Sequence, residues 1–129
     1  MALLMVGIAS GAKPRPQDIN SFTLTNEPVY AGAAEFDVHL GKHYSEPLIA
    51  VWCWQSGIGA VMARHGFIVD KYGASFDGQS SVLITYHNNI GDPSQPANCA
   101  AVVFDEQRSN KRPEVALTDW VAFRVEGVD

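Results

Sequence analysis

Histidines are the side chains in this sequence that could bind a metal ion. His39 and His43 are four residues apart, a spacing that shares one face only on a helix. Gly41 interrupts a predicted strand between them, so this spacing does not bring the two rings together. No third ligand lies close by in the sequence, and zinc sites need three or four. We therefore expect neither a metal nor a cofactor.

Paired carboxylates are the second candidate for chemistry. Asp37 with Asp70, or Asp105 with Glu106, would offer two acids, but acid–base catalysis needs a fixed separation and different pKa values. The sequence contains no GxSxG, HExxH, paired CxxC or Walker motif. Ser56–Ala60 contains a GxG pair without the third glycine of a dinucleotide loop, and we interpret it as a turn. We predict a protein that is not an enzyme; a small hydrolase would need titratable groups clustered in a pocket.

The three tryptophans are candidates for binding a sugar. Trp52 and Trp54 lie on one face of a predicted central strand, and Trp120 begins the last strand. An exposed aromatic ring is a flat apolar surface on which a sugar ring stacks, while neighbouring polar groups bond its hydroxyls. The alternative is that these rings fill the core or a subunit interface, where large aromatics supply much of the burial energy.

A polar tip, His87-Asn88-Asn89, ends one predicted strand and leads into the longest polar loop, which runs to Asn98. Long ordered loops on a rigid sandwich are frequent binding sites, although the same tip also fits a plain turn. We take His87, Asn88, Asn89 and Trp120 as the candidate ligand-binding residues.

Cys53 and Cys99 both lie in apolar runs. We predict two buried free thiols that act as small hydrophobic side chains. A bridge between strands is the alternative, and sequence spacing does not decide it. Two cysteines do not make a disulfide framework, which fits assembly in a reducing cytoplasm.

Short segments that alternate with period two indicate strands, and no helix-length segment shows an apolar period of 3.6. Glu35–Leu40 is the clearest, and Leu48–Trp54 is apolar on both faces, as a central strand would be. The other predicted strands are Leu3–Ile8, Phe22–Leu24, Phe67–Tyr72, Val82–His87, Ala100–Phe104 and Trp120–Val125. About eight short strands separated by turn residues predict an all-β fold, an antiparallel β-sandwich or jelly roll.

Length and charge narrow the class of protein further. The 129 residues predict one domain over 1–129, with 1–33 as an N-terminal strand and extension that contacts a neighbouring subunit. Only 18% of residues are charged, which suggests surface covered by other subunits. The 14 acidic against 9 basic residues disfavour nucleic acid, and no stretch reaches the roughly 20 apolar residues of a membrane span. The apolar N-terminus lacks the basic residues of a signal peptide.

Three segments in order resemble a family pattern. Phe36–Val51 resembles the opening of H-type lectin domains and many bacteriophage tail-fibre tip domains, in which two aromatics precede Pro-x-Val. His65–Val69 is similar to their Gly-Phe-x-Val strand, and Asp119–Phe123 is similar to their closing Trp-Ile/Val-Ala strand. The resemblance implies an antiparallel sandwich that assembles as a trimer or a dimer of trimers and binds carbohydrate. It implies no individual sugar contacts, because the contact loops do not match.

We therefore expect a non-enzymatic bacteriophage virion protein, a trimer on the particle surface or fibre. Its expected partners are other virion proteins and host surface glycans, after assembly in the host cytoplasm, with neither nucleic acid nor membrane insertion. One alternative is a capsid decoration protein in which Leu3–Ile8 pairs with the sheet edge of a neighbouring subunit. Another is a small secreted or cellular lectin.

Overall fold

Two antiparallel β-sheets pack face to face in the computed structural model, which describes residues 15–42, 44, 46–68, 76–105 and 115–129. The small sheet has the order β1-β2-β5, and the large sheet has the order β4-β3-β6, with β7 and β8 both paired to β6. The elements are α1 (Pro16–Ile19), β1 (Ser21–Leu24), β2 (Ala33–Leu40), β3 (Pro47–Gln55), β4 (Gly59–Phe67), β5 (Phe76–Leu83), a 3-10 helix (His87–Asn89), β6 (Ala97–Asp105), β7 (Val115–Ala116) and β8 (Val121–Val125). The predicted all-β sandwich is confirmed. No helix within the described ranges is long and apolar enough to cross a membrane.

The core lies between the two sheets and follows the alternation of β2. Its apolar residues are buried and the intervening polar ones are exposed, as the pattern of Glu35–Leu40 predicts. The Phe36 ring stacks on Phe22 of β1 at 4.5 Å and meets the edge of Phe123 of β8 at 6.0 Å. These ring contacts, in the range that aromatic pairs prefer, join the small sheet to the large one.

Strand β3 is the central strand of the large sheet, as its apolar sequence predicts. It pairs with β4 on one side and β6 on the other. The β3–β4 connection is a tight turn in which Gly57 and Gly59 have φ of 80° and 105°, so the interpretation of Ser56–Ala60 as a turn is confirmed.

Two of the predicted strands are displaced along the chain. The strand predicted at Val82–His87 is instead Phe76–Leu83, because pairing with β2 ends at Leu83 while burial continues at Ile84 and Tyr86. The strand predicted at Phe67–Tyr72 is instead Gly59–Phe67, and positions 69–72 lie outside the described residues. Leu3–Ile8 also lies outside them.

A disulfide joins Cys53 to Cys99, with the two sulfur atoms 2.02 Å apart. The prediction of two free thiols is wrong, because β3 and β6 are neighbours and their register places these cysteines directly opposite each other. Pairing across 46 residues is a property of the sheet order, which the local sequence does not specify. The inference of a reducing compartment, which rested on the absence of a disulfide, loses its basis.

Candidate functional site

The outer face of the small sheet is polar. Its exposed side chains on β2 and β5 include Glu35, Asp37, His39, Asp77 and Gln79. Gln79 donates a hydrogen bond to Asp37 at 3.1 Å, and His39 Nδ1 lies 3.6 Å from Asp77 Oδ1. This arrangement is typical of a solvated sheet face, on which cross-strand polar pairs alternate with buried core residues.

The outer face of the large sheet is apolar. Leu48 and Ala50 of β3, with Val102 and Phe104 of β6, form a second buried cluster that is separate from the core between the sheets. Trp52 and Ala116 pack against this cluster. All four are buried within the chain itself, so they form a second small core on this side of the sheet, and the large apolar residues that stay exposed beside it are Trp54 and Trp120.

Three tryptophans lie on this apolar face, and we call them the aromatic platform. The side chains of Trp54 and Trp120 are 44% and 56% exposed. The half-buried ring of Trp52 lies 5.5 Å from that of Trp120, with the two planes inclined by 38°. These two residues are therefore not core residues, and about half of each is open to a ligand.

Small side chains surround the platform. Trp52 has Ala63 of β4 opposite it on one side and Ala100 of β6 on the other, and Ala122 of β8 lies opposite Ala100. Trp54 has Ala60 of β4 opposite it. Directly opposite residues have Cβ atoms about 5 Å apart, so alanines at these positions leave the indole rings uncovered from the side.

A break in the strand that flanks β6 positions Trp120. Between β7 and β8, the backbone N–H of Leu117 still donates to the carbonyl of Val103 at 2.8 Å. At the next residue, the buried Thr118, a side-chain hydroxyl takes the role of a backbone carbonyl. It accepts a hydrogen bond from the Val103 N–H and donates one to the Asp119 carbonyl. The chain can therefore leave the sheet without an unsatisfied donor on β6, and Trp120 follows in this break.

A β-bulge lies beside Trp54. Cys53 pairs with Met62, but the next residue, Trp54, pairs with Ala60, so Val61 is the extra residue of β4. Val61 and Met62 are both buried. Bulges increase the local twist and redirect side chains, and this one lies at the point where the platform reaches the end of the sheet.

A polar rim borders the platform next to Trp54, and we define it as Asn98, Arg124 and Glu126. Asn98 lies opposite Trp54 on β6, and Arg124 lies opposite Asn98 on β8. The Arg124 Nε–H donates to Glu126 Oε2 at 2.8 Å. The backbone of Glu126 is held by two hydrogen bonds with residues 28 and 30, so the rim rests on fixed main chain.

The platform and rim together can hold a ligand that is apolar on one face and hydroxylated at its edge. Indole rings attract such a face through their apolar surface. The amide of Asn98 donates and accepts, Arg124 donates and Glu126 accepts, so both kinds of hydrogen bond are available at the rim.

The predicted tip lies apart from Trp120. His87 Nε2 is 3.0 Å from the backbone nitrogen of Ala63 and 2.9 Å from its oxygen, so the ring caps the edge of β4 in either tautomer. Asn88 is exposed with φ of 48°, a left-handed conformation that asparagine tolerates. The side chain of Asn89 lies outside the described residues. The described hydrogen bonds and ring contacts do not join this tip to Trp120.

The polar loop after the tip is anchored from inside the sandwich. The buried Gln55 side chain donates to the carbonyls of Asp92 and Gln95 and accepts from Asp92 N–H. The pKa of the Asp92 carboxyl is lowered, because the backbone N–H of Ser94 and then its hydroxyl donate hydrogen bonds to it. The loop is therefore a fixed connection at the Trp54 end of the sheet.

Tyr86 precedes this loop and packs against Tyr30, with the ring centroids 4.7 Å apart. Its hydroxyl is buried and has no hydrogen-bond partner among the described residues. Burial raises the pKa of this hydroxyl, with smaller contributions from Tyr30 and Asp92.

Each candidate pair for metal binding or acid–base chemistry includes a residue outside the described part of the chain. His43, Asp70 and Glu106 lie outside the described residues, so neither the histidine pair nor either carboxylate pair can be placed. Within the ranges that the structure describes, no group of three or more histidine, cysteine or acidic side chains is arranged to hold a metal ion.

Comparisons of the chain with protein-family models, curated proteins and solved structures find no match. The resemblance to H-type lectin and tail-fibre domains therefore stays a prediction.

Proposed function

We propose that this protein is a non-enzymatic carbohydrate-binding protein that holds glycans on the aromatic platform. The observation that carries the proposal is the pair of half-exposed rings, Trp54 and Trp120, on a sheet face whose neighbouring positions are alanines. A pyranose ring presents a face of C–H bonds that packs on an indole, while its hydroxyls project sideways to polar groups such as those of the rim.

The size of the exposed aromatic surface suits a small ligand. A tryptophan side chain offers up to roughly 250 Å². With 44% and 56% of their surfaces exposed, the two rings together present roughly 250 Å². A stable protein interface takes roughly 800 Å² from each partner. The platform is too small to hold two subunits together by itself, whereas it suits one or two sugar rings.

A glycan-binding assay with matched variants tests the proposal. The wild-type protein is applied to an array of bacterial and mammalian glycans, beside Trp54→Ala and Trp120→Ala. We expect binding to a defined subset of glycans and a loss of at least about fivefold in each variant, as for a residue at the centre of a binding surface. Leu83→Ala removes an equally exposed apolar side chain from the small sheet and should bind as the wild type does. Binding that survives both tryptophan substitutions would refute the proposal.

We further propose that glycan binding serves host attachment from the surface or fibre of a bacteriophage particle, with the protein present as a trimer. The order of the three lectin-like segments supports this role. A shallow platform binds each glycan weakly, and several copies on one assembly raise the overall affinity through effective concentration. Capsid decoration through Leu3–Ile8 concerns a segment outside the described residues, and a small lectin would use the same platform.

Two measurements test this wider role. Light scattering of the purified protein should give the mass of three 14.0 kDa chains, and the mass of one chain would contradict the trimer. Gold-labelled antibody on native particles should mark fibres or the particle surface. Uniform labelling of the head, with no glycan binding by the purified protein, would favour decoration instead.

A further inference from the structure

We infer that the aromatic platform selects neutral pyranose glycans over acidic ones that carry sialic acid or uronate. This inference rests on the proposed function and concerns the charges beside the rings. The cation at the rim is Arg124, and its Nε–H donates to Glu126 at 2.8 Å. Both side chains are more than half exposed, so the pair lies at the surface where a ligand would reach it.

An acidic sugar needs a cation that is free to pair with its carboxylate, and the arrangement at the rim opposes this. A carboxylate approaching Arg124 would have to displace Glu126 or lie beside it, and like charges in contact repel. At the other end of the platform, the exposed Asp119 adjoins Trp120 and adds negative charge. The net charge of −5 also disfavours the approach of an anionic sugar.

The other cationic side chains in the described part of the chain already have partners. Arg15, the cation near Asp119, donates to Asp18 and interacts with both carboxylates, so its charge is not free for a ligand. Arg64 donates to Thr85, and Lys42 lies 5.5 Å from the centre of the Tyr44 ring.

A neutral pyranose satisfies the same rim without this conflict. Each sugar hydroxyl both donates and accepts, and the rim offers both roles side by side. Arg124 keeps guanidinium N–H groups beyond the one bound to Glu126, and the Asn98 amide supplies one donor group and one acceptor. Specificity then comes from what the rim excludes as well as from what it binds.

Matched oligosaccharides test the inference. Binding of lactose, sialyllactose, galactotriose and trigalacturonate is followed through tryptophan fluorescence, at low salt so that charge effects are not screened. For the wild type we expect each neutral sugar to bind more tightly than its acidic counterpart. Glu126→Gln frees the charge of Arg124 and should shift the acidic-to-neutral affinity ratio by roughly threefold to fivefold, the effect expected of an exposed ion pair.

Glu35→Gln is the matched control, because it removes the same charge from the outer face of the small sheet. We expect its affinity ratio to equal that of the wild type. Circular dichroism confirms that each variant is folded. Tighter binding of the acidic sugars by the wild type, or an unchanged ratio in Glu126→Gln, would overturn the inference while leaving the proposed function in place. If none of the sugars binds and the glycan array is also silent, the proposed function itself fails.

Discussion

Removing the Cys53–Cys99 disulfide should destabilise the protein by about 4 kcal/mol. The two cysteines are 46 residues apart, and the chain-entropy relation for a loop of that length gives about this free energy at 25 °C. The unfolding entropy of about 2.1 cal/mol/K per residue converts it to a fall in Tm of roughly 15 °C for the 129 residues. The bridge joins directly opposite positions of β3, which carries Trp52 and Trp54, and its neighbour β6.

Thermal unfolding followed by circular dichroism measures this effect in three samples. They are the oxidised protein, protein that was unfolded, reduced and refolded, and the double variant Cys53→Ala/Cys99→Ala. We expect the second and third samples to unfold at the lower temperature, with no further effect of reductant on the double variant. Val51→Ala lies on the same strand and the same inner face, and it controls for the lost side-chain volume. Two free thiols in the unfolded, unreduced protein would show that the bridge is absent, and a Tm shift under about 2 °C on reduction would show that it does not stabilise the fold.

Three further predictions concern the supports of the site. Thr118→Val leaves a buried backbone N–H of β6 without its acceptor, so we expect a loss of about 1–3 kcal/mol in urea unfolding and a changed near-ultraviolet spectrum of the tryptophans. Gly127→Ala places a Cβ atom against the backbone of Ser94 and should lower the Tm, whereas Gly78→Ala meets only ordinary contacts and should not. Tyr86→Phe removes a buried hydroxyl that has no partner among the described residues, so unfolding should show equal or higher stability; a loss above about 1 kcal/mol would contradict this.

The sequence predicts the fold class because burial is one-sided in some strands and two-sided in others. In Glu35–Leu40, apolar and polar residues alternate because only one face of the strand meets the core. In Leu48–Trp54, every residue is apolar or aromatic because one face lies in the core and most of the other is also buried. The ends of a strand are harder to predict from the sequence, because buried residues can continue past the last paired one, as Ile84 and Tyr86 do after β5. The disulfide depends on which strands become neighbours, and this pairing is not encoded locally.

Only part of the site could be predicted, because alternation along a strand is local whereas the pairing of strands is not. Period-two alternation places Trp52 and Trp54 on one face, but whether that face is core or surface depends on which elements cover it. The rim residues Asn98 and Arg124 come together only through the pairing of β6 with β8, and no local pattern marks them. One signal was available, since Arg124 is a charge within the last apolar strand and must point away from the core.

Nuclear magnetic resonance of the three indole N–H groups shows whether a glycan binds at the aromatic platform. The signals are assigned with single Trp→Phe variants, and an oligosaccharide that binds the protein is then titrated in. We predict that the indole signals of Trp54 and Trp120 shift with saturation, together with the side-chain amide of Asn98, while the amides of the polar face on β2 and β5 stay unchanged. Unmoved indole signals, with shifts concentrated at His87–Asn89 or on the polar face, would show that the glycan binds elsewhere and that the platform is not the site.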